Sequence, residues 1–323
     1  MCKGEMTMQI PKGSGLEALD RITRNSLKYY SDLYKASGPN KNTCPPLITL
    51  KPPSLSSLRM PLESLAQGLN KVVSQFTGKT ETVDYNAIVN SFLEPGASLV
   101  KPQNPANSNE IQFADIDSDG RSELVTSYRI NGGIKTIVLK RDDVQWYKMA
   151  EISNPEADDI HYRDNSAIST DGRNYLILGL TSSLQDRTLY AYSLDNGNTR
   201  KIFSKKYDKL ELVPVRSPNG TSRTAIAFWR EQAPGVYDIE LQNWNGIELS
   251  QLDNTRYISN RVAPYYLHMI RQDPDNASNW YNLANALSKS GRPDNAALAI
   301  KNGLARNPDI QLKEMFTSLE SRL

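Results

Sequence analysis

The spacing of apolar residues changes twice along this chain, and the changes divide it into three stretches. Leu16, Leu19, Ile22, Leu27, Tyr30 and Leu33 recur at roughly helical spacing, which predicts a helix near the start. Leu62, Leu65, Leu69, Val72, Val73 and Phe76 form an amphipathic series that predicts a second. A shorter helix is predicted over 83–93, stopped by Pro95-Gly96. Between about Gln112 and Leu252 the pattern turns to short β-rich runs separated by turn dipeptides. The runs are 124–128, 134–139, 146–152, 175–180, 189–194, 199–204, 210–215, 224–229, 236–244 and 247–251. Turns are predicted at Asn131-Gly132-Gly133, Asp195-Asn196-Gly197, Asn219-Gly220 and Asn245-Gly246, where Asn and Gly tolerate positive φ. After Asp253 the helical period returns.

The layout that follows is a disordered or linker segment with one helix over 1–60 and a helical lead-in over 61–110. A three-unit β-repeat domain over 111–253 and a helical tail over 254–323 complete it. Between Ser37 and Pro61 the chain is rich in Pro, Ser and Asn, with Pro45-Pro46 and Pro52-Pro53, a composition that resists helix and sheet alike. The fold class expected is mainly β, with antiparallel sheets, N-terminal helices and a C-terminal α-helical unit.

The β region repeats itself. Phe113…Asp119-Gly120…Leu124-Val125 aligns with Tyr162…Asp171-Gly172…Leu176-Ile177 and with Leu212…Asn219-Gly220…Ala225-Ile226. Repeats of about 50 residues, each a turn glycine leading into an apolar strand, predict propeller-like blades or a related stack of sheets. Three units are few for a closed propeller, so an incomplete version is expected.

Composition narrows the function classes. The chain has 323 residues, 38% hydrophobic and 23% charged, with a net charge of +2, so no electrostatic footprint suggests nucleic acid. No run approaches the roughly 18 apolar residues needed to cross a bilayer. Cys2, Cys44, His161 and His268 are the whole cysteine and histidine inventory, too few for the usual zinc site. His161 falls in a predicted strand and His268 on a predicted helix, neither beside a nucleophile motif, so both read as structural. Cys2 before a polar tail is what a processed lipoprotein would show, although the chain has no apolar segment and lipobox ahead of it.

The densest chemistry lies at Asp115-Ile116-Asp117-Ser118-Asp119-Gly120-Arg121-Ser122-Glu123. Acids at alternate positions, then Gly, then Glu, make an oxygen-donor loop suited to a hard cation such as Ca²⁺. The glycine permits the bend that lets the donors converge. Four carboxylates without a cation would repel one another, so the loop is expected to loosen when empty.

This loop, repeated with turn glycines and followed by strands, resembles the FG-GAP/VCBS-type repeats of cell-surface and secreted proteins. The resemblance implies Ca²⁺ held by the side chains of Asp115, Asp117, Asp119 and Glu123 and by the backbone carbonyl of Arg121. Loop two keeps Asp171 but has Ala167, Ser169 and Tyr175 at the other positions, and loop three has Val215, Ser217, Asn219 and Arg223, so both are expected to keep the turn without the ion. The order of segments over about 45–310 is also similar to that of a group of lipoproteins from Gram-positive spore-formers, which implies an extracytoplasmic, cell-envelope location.

In the tail, Trp280, Leu283, Ala284, Leu287, Gly291, Ala296, Ile300, Gly303 and Pro308 follow the tetratricopeptide pattern. Tyr266 and Pro274 stand 34 positions before Ile300 and Pro308, so a helix near 260–271 resembles half of a preceding repeat, and 311–323 a capping helix. One repeat cannot cover its own faces, so packing against the rest of the chain is expected to compete with docking of a partner peptide. Together these readings predict a non-catalytic, calcium-binding envelope protein that contacts a protein or wall component. A glycan-acting hydrolase using Glu156, Asp158 and Asp159, or a cytoplasmic tetratricopeptide scaffold, are the alternatives.

Overall fold

The structure is a computed structural model that describes residues 22–23 and 83–323, except 170, 183, 196–197 and 217–221. Of the first predicted helix it describes Ile22 and Thr23, both helical, with Ile22 buried. The Pro-rich linker, the helix predicted over 62–76, Cys2, Cys44 and the turns at Asn196-Gly197 and Asn219-Gly220 lie outside the described residues. The molecule divides into two compact units. One holds the strands, and the other holds the C-terminal helices together with Glu231–Asp238.

The β unit begins with helix α1 (Tyr85–Asn90). Asp84 caps it by accepting from the Ala87 N–H at 3.1 Å, which satisfies one of the donors that a helix start leaves open. Beyond α1 the lead-in is extended rather than helical, because Ser98–Leu99 (β1) pairs antiparallel with Tyr128 and Arg129. Among the described residues, thirteen strands lie in three sheets. The first contains β1, β2 (Ile111–Ala114), β3 (Glu123–Ile130), β4 (Gly133–Arg141) and β5 (Trp146–Asn154). The second runs β6 (Ala157–Ser166), β7 (Tyr175–Ser182), β8 (Arg187–Asp195) and β9 (Asn198–Lys206). The third runs β10 (Lys209–Arg216), β11 (Ser222–Ala233), β12 (Val236–Trp244) and β13 (Leu249–Gln251). The three sheets coincide with the three repeats read from the sequence, and the protein is mainly β with a helical C-terminal stretch.

Register in the first sheet is set by a two-residue turn. Ile130 pairs with Gly133, and Asn131 (φ 51°) and Gly132 (φ 79°) both take the left-handed conformation that a tight, right-twisted hairpin requires. Side chains then alternate between two apolar layers. Leu124, Tyr128, Ile137 and Leu139 pack against α1 through Val89. Val125 and Val138 on the opposite face meet Leu176, Leu178, Tyr192 and Leu194 of the second sheet. A further layer of Ile177, Leu189, Ala191, Ile226, Phe228 and Trp244 joins the second sheet to the third. Burying each aliphatic side chain of this kind contributes about 1.5–3 kcal/mol, so the layers hold the stack together. Strand β6 is absent from the apolar runs because it reads Ala-Asp-Asp-Ile-His-Tyr-Arg-Asp-Asn-Ser. Its Arg163, fully buried, donates to Ser127 Oγ (2.9 Å) and to the carbonyls of Asn109 (2.7 Å) and Glu110 (2.8 Å), so a polar strand is held inside by hydrogen bonds.

The helical unit comprises α2 (Thr255–Tyr257), a π-helical turn (Ile258–Val262), α3 (Ala263–Gln272), α4 (Ala277–Lys289), α5 (Pro293–Leu304) and α6 (Ile310–Glu320). Trp280, Leu283, Ala284 and Leu287 of α4 and Ala296, Ile300 and Gly303 of α5 are buried, as the sequence pattern requires. Trp280 also donates its Nε1–H to the Pro274 carbonyl at 2.8 Å. Gly303 leaves room for Phe316 of α6, since a Cβ there would lie 2.2 Å from Phe316 Cζ. The hairpin tip Glu231–Asp238 groups with these helices, in addition to the residues from Asp253 onward. Asn282 of α4 explains why. Its Oδ1 accepts from the Tyr237 N–H (3.0 Å) while its Nδ2 donates to the Gly235 carbonyl (2.7 Å). Ser278 Oγ donates to the Pro234 carbonyl (3.1 Å), and Lys289 pairs with Asp238 (2.8 Å).

Gly179 on β7 gives a direct test of the packing. A Cβ there would stand 2.1 Å from the Tyr207 hydroxyl and 2.9 Å from Tyr162 Cβ. Tyr207 is held in place by its 2.8 Å hydrogen bond to His161 Nδ1 and cannot yield cheaply. Gly179→Ala should lower stability in urea unfolding by about 1–3 kcal/mol, and Tyr207→Phe in the same chain should restore part of that loss.

Candidate metal centre

The acidic loop is closed by the strands on either side. Ala114 at the end of β2 pairs with Glu123 at the start of β3, so residues 115–122 leave and return across one antiparallel rung. Ile116 is buried in the layer between the first and second sheets and anchors the loop from below. Ser118 (φ 62°) and Gly120 (φ 84°) provide the two left-handed residues of the bend.

Half of the carboxylate oxygens are used to build the loop. Asp115 Oδ2 accepts from the Gly120 N–H (3.1 Å), Asp117 Oδ1 from Asp119 (3.3 Å), Asp119 Oδ1 from Arg121 (2.8 Å) and Glu123 Oε2 from Ile116 (2.8 Å). Three of the four carboxylates also converge. Asp115, Asp117 and Glu123 each place an oxygen within 4.8 Å of the others. Two oxygens on one calcium ion at 2.3–2.6 Å stand at most about 5.2 Å apart, so this spacing fits a shared cation. Asp115 Oδ1 and Glu123 Oε1 are buried without a hydrogen-bond donor, and the Glu123 side chain is 0% exposed. Buried carboxylate oxygens without donors call for positive charge. The residues present therefore fit a hard divalent ion.

Of the five positions read from the sequence, the structure brings Asp115, Asp117 and Glu123 together. Asp119 lies outside this set and turns to Lys140, its Oδ2 accepting from Nζ at 2.6 Å. Arg121 is exposed, and its N–H is engaged by Asp119. Lys140 on β4 is the residue that the sequence reading missed. Its ammonium also binds Asp117 and lies 3.5 Å from Glu123 Oε1. The signal was present in the hairpin. Leu124 pairs with Leu139, so the next rung sets Glu123 against Lys140. Lys140 thus supplies one positive charge among the acids of the loop.

These contacts shift the local acid–base chemistry. The Lys140 hydrogen bond, aided by the Arg121 N–H, holds the Asp119 carboxyl below its ordinary range. Burial pushes Glu123 up, and the charges of Asp117 and Asp119 add to the effect. For Lys140 the cost of burial is outweighed by its hydrogen bonds to Asp117 and Asp119, so its ammonium is held well above the usual lysine range.

The second loop satisfies its acid internally. Gly172 (φ 75°) repeats the bend of Gly120. Tyr175, in the place of Glu123, donates its hydroxyl to Asp171 Oδ2 at 2.8 Å, and the Arg173 N–H donates to Oδ1 at 3.1 Å. Burial, with the Asp171 hydrogen bond, pushes the Tyr175 phenol up to about 12. The neighbouring Asn174 braces loop one, its N–H donating to Ser118 Oγ (2.8 Å) and its Nδ2 to the Asp115 carbonyl (2.7 Å). The tip of the third loop lies outside the described residues.

The catalytic candidates have separate surroundings. Glu156 is exposed at the turn before β6. Asp159 is held by Gln103 Nε2 (2.7 Å) and by its own Ile160 N–H (2.8 Å), while the Asp158 carbonyl accepts from Arg129. His161 lies between Tyr207 OH on Nδ1 (2.8 Å) and Asn104 Nδ2 on Nε2 (3.3 Å).

Comparison with known proteins adds one match. Residues 265–297, from α3 into α5, match the family model of the tetratricopeptide repeat. No curated protein and no solved structure matches the chain. Tetratricopeptide repeats generally mediate protein interactions, and the match suggests such a role for the helical unit.

Burial, and secondarily the positive charge of Arg187, lowers the His161 pKa from 6.5 to about 4. The unfolded chain therefore takes up this proton more readily than the folded one. Stability from this group is complete above about 6.5 and is lost as pH falls toward about 4. Melting temperatures measured across that window should fall with pH, and His161→Gln should flatten that part of the profile.

Proposed function

We propose that this chain is a non-catalytic, calcium-binding protein of the cell envelope. Its helical unit contacts a protein or wall component, and an ion stabilises its first β-repeat. The observation that supports the ion most directly is the pair of buried, donorless oxygens, Asp115 Oδ1 and Glu123 Oε1, converging with Asp117. In this reading Asp115, Asp117 and Glu123 hold the ion, with Asp119 and the Arg121 carbonyl as the further positions that the FG-GAP/VCBS resemblance supplies. A bound Ca²⁺ supplies two positive charges where the Lys140 ammonium supplies one. Extracellular sites of this kind work at dissociation constants of about 10⁻⁴–10⁻³ M, which suits an extracytoplasmic setting where calcium is plentiful. Lipidation at Cys2 would anchor the chain there.

The tetratricopeptide match supports the interaction role. One face of α4 is taken by the hairpin tip through Ser278, Asn282 and Lys289, so a partner engages the helices elsewhere. A second reading, an interaction scaffold that works without calcium, is favoured by Lys140, which already supplies a cation to the loop. We infer no hydrolytic role for Glu156, Asp158 and Asp159, of which Asp159 is engaged by Gln103 and the Ile160 N–H. A screen of glycan, peptide and ester substrates should show nothing above background, and turnover abolished by Asp159→Asn would overturn that part.

Calcium titration separates the first two readings. At about 100-fold above the dissociation constant, Ca²⁺ should stabilise the chain by about 2.7 kcal/mol relative to chelator. Asp117→Asn should remove most of that gain. Identical melting with and without the ion, together with no heat of binding by calorimetry, would leave the scaffold reading.

A further inference from the structure

We infer that Lys140 is a built-in competitor of the divalent ion, occupying the acidic loop in its absence and setting the loop's affinity. This inference rests on the calcium reading of the same loop and adds a residue that the donor pattern does not contain.

The position of Lys140 follows from the sheet. Strand β4 lies between β3 and β5, and the Asn131-Gly132 turn holds its register, so the Lys140 backbone cannot slide away from Glu123. Glu123, Val125 and Ser127 share one face of β3 with Thr136, Val138 and Lys140 opposite, which directs the ammonium into the loop rather than into solvent. Only 14% of the Lys140 side chain is exposed.

The contacts are those an ion would need. Nζ binds Asp117 Oδ2, sits 2.6 Å from Asp119 Oδ2 and 3.5 Å from the buried Glu123 Oε1. Asp117 and Glu123 are also two of the three acids whose oxygens converge. A divalent ion on that set would draw on the Asp117 and Glu123 carboxylates that the ammonium already contacts, and the two cations would repel each other there. Binding therefore requires Lys140 to withdraw. Its four-carbon stem permits this, and Asp119, outside the three-acid set, remains within its reach.

Two consequences follow. The loop stays closed without an ion, because one ammonium partly balances the acids, and ion binding is an exchange of cations on a preformed loop. The affinity is also lower than the donor set alone would give, since each binding event breaks charge-assisted hydrogen bonds. Tyr175 in the second loop represents the other limit, where an internal hydroxyl satisfies Asp171 and leaves nothing to exchange.

The test compares the wild-type chain with Lys140→Met and Lys140→Arg by calorimetric titration with calcium chloride and by thermal unfolding in chelator. Methionine keeps the length of the side chain and removes the charge, whereas arginine keeps the charge. Lys140→Met should bind Ca²⁺ at least about tenfold more tightly than wild type and melt lower than wild type in chelator. Lys140→Arg should stay close to wild type in affinity. Binding by Lys140→Met alone would support the competition in its strongest form. Equal affinity in wild type and Lys140→Met would overturn the inference while leaving the calcium reading intact. No binding in any of the three chains would overturn both. Should Lys140→Met fail to fold in chelator, refolding it in millimolar Ca²⁺ supports the exchange, and failure to do so overturns it.

Discussion

The register of β3 against β4 is the constraint on which most of the first sheet depends. Asn131 and Gly132 close the hairpin in two left-handed residues, and every cross-strand neighbour upstream is then determined. That register sends Leu124, Tyr128, Ile137 and Leu139 to the side of α1 and Val125 and Val138 to the side of the second sheet. A slip of one residue would exchange the two faces and place Glu123 and Lys140 among the aliphatic side chains beneath α1. The same pairing that builds the core therefore also aims the acids and their lysine at one another.

Charge balance then distinguishes loops that share a backbone shape. Gly120 and Gly172 make equivalent bends, yet the first loop buries Glu123 and the second buries Tyr175. A buried carboxylate demands a cation or several donors, whereas a phenol hydroxyl serves its neighbouring Asp171 directly. Asn174 links the two by bracing Ser118 and the Asp115 carbonyl, so the second loop serves as a support for the first. Repetition of the scaffold has thus allowed the repeats to divide chemistry and packing between them.

The helical unit follows a different logic. Its tetratricopeptide segment needs neighbours to cover its apolar faces, and α3 and α6 supply them on either side of the α4–α5 pair. The polar face of α4 is used as well, because Asn282 accepts from the Tyr237 N–H and donates to the Gly235 carbonyl.

The amino-acid sequence alone determined the mainly β class, the three repeats, the Asn131-Gly132 turn, the acidic loop and the tetratricopeptide helices. Each is written in local signals, such as a residue period, a turn dipeptide or a run of donors. What it left undecided were features made by residues distant in the chain. Strand β6 carries a polar sequence because Arg163 is satisfied by Ser127 and by the Asn109 and Glu110 carbonyls, partners that no local window contains. The hairpin tip joins the helices because Asn282 lies 45 residues beyond Tyr237. Asp119 reads as a ligand equal to its neighbours until the fold turns it toward Lys140, which enters from the next strand. Local preference sets the backbone shape, but charge and hydrogen-bond compensation act through space, and only the tertiary structure decides which groups meet.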